Sequence, residues 1–129
     1  MFTIDVEKTP TKVCITTWKY PEWFKEFTLE NKATVNGEET SITSLLLVTV
    51  SDNHWVVELT HQRCLLGAYM RGIISQWLLD EEVLESSDAE ALKHVGRVYI
   101  FTEKAYNKLV NHLGIRYEQN KENSHDHQH

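Results

Sequence analysis

The chain has 129 residues, of which 41% are hydrophobic and 25% charged, a composition typical of one soluble globular domain. Its formal net charge of −6 argues against general binding to DNA or RNA, because nucleic-acid phosphates require a basic surface. No apolar run approaches the roughly 20 residues that span a bilayer, and the first residues lack the pattern of a signal peptide. We therefore expect a cytoplasmic protein that does not contact membranes.

The first half of the chain predicts β-strands. Two early segments, FTIDV and KVCITTW, alternate apolar and polar residues with period two. Asn36-Gly37 favours a two-residue hairpin turn, because this pair tolerates positive φ angles. A second reversal is expected at 51–53, before the strand HWVVELT. The segments predict an antiparallel meander, in which the apolar strand 45–48 would be covered on both faces.

Five aromatic residues crowd the segment 18–27, which we call the aromatic segment, although only 10% of the chain is aromatic. Pro21 at a plausible first position predicts a short helix here. Large rigid side chains bury much area at little entropic cost, so the segment could form the centre of a protein interface. Core packing and stacking on nucleic-acid bases are the alternatives, and the negative net charge disfavours the second. The candidate contact residues are Trp18, Tyr20, Trp23, Phe24 and Phe27.

The second half has the period of helices. Thr60 could cap a helix at about 61–79 that is apolar on nearly every side, so this helix should be central to the fold or covered by a partner. Gly67 and Gly72 suggest close backbone packing, since each costs up to roughly 1 kcal/mol relative to alanine. A capping box at Ser87 predicts a second helix, which Gly96 would end.

A short strand, RVYIF, follows, and Thr102 predicts the start of a third helix that Gly114 would end. Residues 115–117 could form a last strand, and the polar residues 118–129 predict a disordered tail whose histidines bind metal at most adventitiously. We therefore expect one α+β domain at 1–117. It would be an antiparallel β-meander packed against a central apolar helix and two to three further helices.

The acidic residues are unevenly distributed, because residues 36–92 contain ten carboxylates against two arginines. They are densest at 80–90, after the predicted end of the long helix. Carboxylates there would lie at the negative end of the helix dipole, each unfavourable by roughly 0.3–1 kcal/mol unless they begin a new turn. The segment is interpreted as a solvated connector or as a docking ridge for a basic partner. A metal or acid/base site is the third and least favoured interpretation, because the segment lacks the glycine of a calcium loop and nothing in it indicates a buried carboxylate. The candidate contact residues are Asp80, Glu81, Glu82 and Glu85.

The sequence contains no glycine-rich phosphate loop, nucleophile elbow, zinc-protease motif or dinucleotide fingerprint, and we expect no cofactor and no metal site. His61 and Cys64 lie three residues apart at a predicted helix start, where the dipole favours a thiolate. A small hydrolase or nuclease could use His61 and Cys64, or His54 with an acidic residue at the sheet edge. Cys14 and Cys64 lack CxxC spacing and are interpreted as buried free thiols.

The leading hypothesis is a small acidic protein-binding factor without catalytic activity. Its partner would be a larger nucleic-acid enzyme with a basic surface, such as an RNA polymerase or a nuclease, because opposite rim charges speed association while buried aromatic residues supply affinity. In overall character the chain resembles small accessory proteins of bacteriophages, which bind and modulate a larger host enzyme. The alternatives are the small hydrolase or nuclease and a structural homo-oligomer, for example a homodimer formed through the helix 61–79.

Overall fold

A computed structural model describes residues 1–16, 23–52, 54–60, 67–94 and 98–126 of the chain. Six strands and three helices in these ranges confirm the predicted α+β class. The strands are β1 (Ile4–Val6), β2 (Lys12–Thr16), β3 (Phe24–Val35), β4 (Glu38–Ser51), β5 (His54–Thr60) and β6 (Val98–Phe101). The helices are α1 (Gly67–Asp80), α2 (Ser86–His94) and α3 (Glu103–Asp126). No described helix is both long enough and apolar enough to cross a membrane.

All strands belong to one curled antiparallel sheet in the order β1-β3-β4-β5-β6, and β2 also pairs with β3. Asn36 and Gly37, with φ angles of 50° and 82°, form the predicted turn between β3 and β4. Ser51 pairs with His54 across the second predicted reversal, where Asp52 has a φ of 48°. These two turns set the register of the meander.

The helices cover one face of the sheet, which we call the inner face. The register places Phe27, Leu46 and Leu59 in one row across β3, β4 and β5, and all three are buried. On the opposite, outer face, Leu45 and Leu47 are half-buried. Each helix adds side chains to the inner core, namely Ile74, Trp77 and Leu78 from α1, Ala89 and Leu92 from α2, and Tyr106, Leu109 and Leu113 from α3.

The described part of the aromatic segment, residues 23–27, does not form the predicted helix. From Phe24 onward it is part of β3, and buried Phe27 and Leu29 alternate there with half-buried Thr28. Pro21 and the spacing of the aromatic residues suggested a helix, but pairing with β4 along the whole of β3 outweighs this local preference. Residues 17–22 lie outside the described residues.

The helix α3 is longer than predicted. Its stripe of buried Tyr106, Leu109 and Leu113 continues to Tyr117, which packs against the core, so the helix does not end at Gly114. This burial outweighs the cost of an interior glycine, about 1 kcal/mol, and the predicted strand 115–117 is wrong. Residues 118–126 have helical backbone as well. The division of the chain at residue 117 stays a prediction, and residues 127–129 lie outside the described residues.

The end of α1 and the start of α2 each lie within one residue of the predicted positions, whereas the predicted helix start near 61 and helix end at Gly96 lie outside the described residues. The helix α1 ends at Asp80, while Thr60 is the last residue of β5 and residues 61–66 lie outside the described residues. No close backbone packing explains Gly72, because a Cβ there would meet only the flexible Cε of Lys93 at 3.9 Å. The predicted capping box at Ser87 is wrong, since α2 begins one residue earlier and its first described carbonyl acceptor is that of Glu85.

Candidate functional site

Residues 80–85, which we call the acidic turn, form an ordered link between α1 and α2. The backbone N–H of Glu82 donates to the carbonyl of Leu79 at 3.0 Å, and that of Val83 donates to the carbonyl of Leu78 at 2.9 Å. Glu82 has a φ of 59° and is therefore the left-handed residue of a Schellman motif. Val83 and Leu78 are buried in the same core. Hydrogen bonds and core packing together hold the turn in one conformation.

The carboxylates of the acidic turn all lie at the surface, whereas Val83 and Leu84 between them are buried. Asp80 accepts a hydrogen bond from Gln76 Nε2 at 2.8 Å. Within the described residues, neither lysine nor arginine forms an ion pair with the turn, and the last turn of α1 contains no basic residue. Because α2 begins only at Ser86, the first three carboxylates stay at the negative end of α1. The exposed carboxylates are Asp80, Glu81, Glu82 and Glu85.

One carboxylate of the turn connects α1 to α3. The Oε2 atom of Glu81 lies 2.6 Å from Nε2 of His112, and both side chains are partly buried. The ring centroid of His112 lies 5.6 Å from that of Trp77, and the guanidinium carbon of Arg116 lies 5.6 Å from the Trp77 centroid. This cluster positions the acidic turn against α3. No feature of the sequence predicts this contact, because His112 is 31 residues from Glu81 and belongs to no motif.

The acidic turn and Asp88 of α2 together form what we call the acidic surface, which reaches the sheet. Asp88 lies in the first turn of α2, where burial raises the pKa of its carboxyl above the usual value and the nearby charge of Glu85 raises it further. A hydrogen bond from the Tyr99 hydroxyl lowers it in part. Since Tyr99 belongs to β6, this contact joins the acidic surface to the last strand of the sheet.

The aromatic segment is divided between surface and core. Trp23 is 56% exposed, and its ring meets that of Phe24 edge-on with 6.3 Å between centroids. Phe24 is half-buried. Phe27 is 1% exposed and packs in the inner core, so it is a core residue and does not belong to a contact surface. The other two candidates, Trp18 and Tyr20, lie outside the described residues.

A row of residues on the outer face connects the aromatic segment to β6. Phe24 pairs with Thr49, Thr49 with Val56, and Val56 with Ile100. Ile100 is 57% exposed at the edge of the sheet. Because Ile100 follows Tyr99 directly, the outer row and the acidic surface both reach β6.

The remaining candidate residues are histidines and cysteines. His54 is exposed at the start of β5 and Cys14 is half-buried in β2, while His61 and Cys64 lie outside the described residues.

Most of the apolar surface of α1 is buried within the protomer, although Tyr69 is 45% exposed. The described part of the chain contains no group of three histidine, cysteine or acidic residues arranged to hold a metal ion. An open groove of about 550 Å³ lies near the first hairpin and is lined by Asp5, Glu7, Lys32, Ala33, Thr34, Glu39, Thr40 and Ser41.

Comparison of the chain with protein-family models, with curated proteins and with solved structures finds no match. The function must therefore be inferred from the surfaces themselves.

Proposed function

We propose that this chain is an acidic, non-catalytic protein-binding factor whose partner presents a basic surface. The acidic turn carries the proposal, because it keeps charge at a place where charge lowers stability. Carboxylates at the negative end of α1 are each unfavourable by roughly 0.3–1 kcal/mol. Glu82 adds the cost of a left-handed backbone, about 1–2 kcal/mol for a residue other than glycine. Locally unfavourable free energies of this kind are often found at functional sites.

The geometry of the turn suits docking. Buried Val83 and Leu84 anchor its backbone, and the contact between Glu81 and His112 fixes it against α3. A preformed surface loses little conformational entropy when a partner binds. Lysine and arginine side chains of a partner would relieve the repulsion among the carboxylates and would speed the encounter through long-range attraction.

Trp23 supplies the apolar part of the proposed contact. A tryptophan that is 56% exposed offers a large rigid surface that water covers in the free protein. Burying such a side chain at the centre of an interface commonly provides most of the affinity. The exposed Ile100 at the far end of the outer row extends the apolar surface toward the acidic residues.

The partner class we favour is a larger cytoplasmic nucleic-acid enzyme, such as an RNA polymerase or a nuclease. Enzymes of this kind carry basic surfaces that neutralise phosphates. An acidic protein can bind such a surface and modulate the enzyme, as a bacteriophage accessory protein would do. Opposite charge would provide the selectivity, and the exposed aromatic residue would provide the residence time.

The test begins with covalent cross-linking in the cells that produce the protein, followed by purification of the captured partner. Association is then measured by surface plasmon resonance at several salt concentrations. The triple reversal Glu81→Lys, Glu82→Lys and Glu85→Lys should slow association by about tenfold or more and flatten its salt dependence. Trp23→Ala should mainly accelerate dissociation, by about tenfold or more if Trp23 is a central contact.

Two matched controls separate specific contact from net charge and from general hydrophobicity. Glu7→Lys, Glu38→Lys and Glu39→Lys change the net charge equally at exposed positions near the first hairpin, and should leave association nearly unchanged. Tyr69→Ala removes an exposed aromatic residue from α1 and should not alter dissociation. Equal effects of the two triple reversals would overturn the docking role of the acidic turn.

A further inference from the structure

The strand β6 forms an edge of the sheet that is poorly protected. Among the residues that the structure describes, no strand pairs with the edge of β6 that faces away from β5. The sequence of β6, VYIF, contains neither a charged residue nor proline, two devices that commonly block pairing at edges. The opposite edge of the sheet is better protected. There β1 contains the charged residue Asp5, β2 contains the charged residue Lys12, and α3 lies against β2.

The two faces of the sheet present different chemistry beside this edge. On the inner face, Tyr99 donates a hydrogen bond to Asp88, and Glu85 is close enough to Asp88 to affect its ionisation. On the outer face, Ile100 is more than half exposed. A strand added to β6 would therefore have carboxylates beside one of its faces and an apolar side chain beside the other.

We infer that the open edge of β6 binds an extended segment of the partner in which basic and apolar residues alternate. The inference rests on the proposed function and names the element of the partner that makes the contact. Backbone hydrogen bonds to β6 would provide much of the affinity. Lysine or arginine residues on one face of the added strand would approach Glu85 and Asp88, and apolar residues on its other face would pack on Ile100.

The state of Asp88 favours a cationic occupant over a second copy of this chain. Burial and the charge of Glu85 both raise the pKa of the Asp88 carboxyl, and the hydrogen bond from Tyr99 offsets only part of this rise. A lysine or arginine brought beside this carboxyl would stabilise its ionised form. A second copy, paired edge to edge through β6, would instead bring another Glu85 and Asp88 into the same region and increase the repulsion.

The direct test uses the full chain and three synthetic peptides of about eight residues, enough to cover a strand of this length. One peptide alternates lysine and valine, the second has glutamate in place of lysine, and the third has the first composition with its lysines and valines in separate blocks. Affinity is measured by fluorescence anisotropy, and hydrogen exchange at the amides of residues 98–101 is measured with and without peptide. The alternating basic peptide should bind at least about fivefold more tightly than the other two and slow exchange in β6.

Variants of the chain locate the contact. Ile100→Lys, and the double change Glu85→Gln with Asp88→Asn, should each weaken the alternating basic peptide by about fivefold. Ile115→Lys is the matched control, because Ile115 is similarly exposed on α3. This variant should lower the affinity for the peptide only as far as one added positive charge repels the lysines of the peptide. Unfolding midpoints of all variants verify that the fold is retained.

Three results would overturn the inference. The first is unchanged exchange in β6 while the alternating peptide binds, and the second is equal affinity for the blocked peptide. The third is a dimeric mass by light scattering that Ile100→Lys converts to a monomer, which would identify a second copy as the occupant. None of these results would contradict the proposed function, which is tested by the triple reversal in the acidic turn. The inference about β6 and the proposed function can therefore fail separately.

Discussion

The aromatic segment and the acidic turn expose their side chains for different reasons. In β3, a period of two sends Phe27 into the core, whereas Trp23, just before the strand, remains at the surface. In the acidic turn, the carboxylates lie outside because unpaired buried charges are costly, and Val83 and Leu84 occupy the interior instead. Charge alone is therefore enough to place a carboxylate at the surface. An aromatic side chain can be stable at the surface or in the core, and the register of its strand determines which of the two it occupies.

The largest test of this difference is within the aromatic segment. Phe27→Ala should lower the free energy of unfolding by about 3–5 kcal/mol, because it leaves a cavity between Leu46 and the helices. Trp23→Ala should change it by less than about 0.5 kcal/mol, since the side chain is largely solvated. Urea denaturation followed by circular dichroism measures both. Similar losses for the two variants would mean that Trp23 also belongs to the core.

The same contrast explains how much of the molecule could be predicted. Asn36-Gly37, the period of β5 and the end of α1 are local signals, and each appears in the structure where expected. The short helix expected in the aromatic segment and the helix end expected at Gly114 were wrong, because pairing of β3 with β4 and burial of Tyr117 are contacts with distant parts of the chain. Local rules give way where such contacts are numerous.

The candidate site shows the same limit. The surface position of the carboxylates at 80–85 followed from their charge alone. The left-handed backbone of Glu82 did not, because a Schellman motif usually has glycine at that position. Neither His112 beside Glu81 nor Tyr99 beside Asp88 could be inferred, since no periodicity relates α3 or β6 to the acidic turn.

A smaller effect tests the backbone of the acidic turn. Glu82→Gly should make the protein about 1 kcal/mol more stable than Glu82→Ala, because glycine adopts a positive φ without the steric cost that a Cβ brings. Both variants remove the same charge from the end of α1, so their difference isolates the backbone term. Chemical denaturation at one ionic strength measures it. Equal stabilities would indicate that Glu82 carries no left-handed strain in solution.

The smallest expected effect concerns the contact between Glu81 and His112. A double-mutant cycle with Glu81→Gln and His112→Asn should give a coupling free energy of about 0.2–1 kcal/mol, because both side chains are partly solvated. The matched cycle with Glu85→Gln in place of Glu81→Gln should give none, since the hydrogen bond and ion pair that His112 forms in the described residues are with Glu81. A coupling free energy in the first cycle, and none in the second, would show that α3 holds one particular carboxylate of the turn. Equal coupling in both cycles would mean that His112 responds only to the general negative field, and the acidic turn would then be free to move relative to α3.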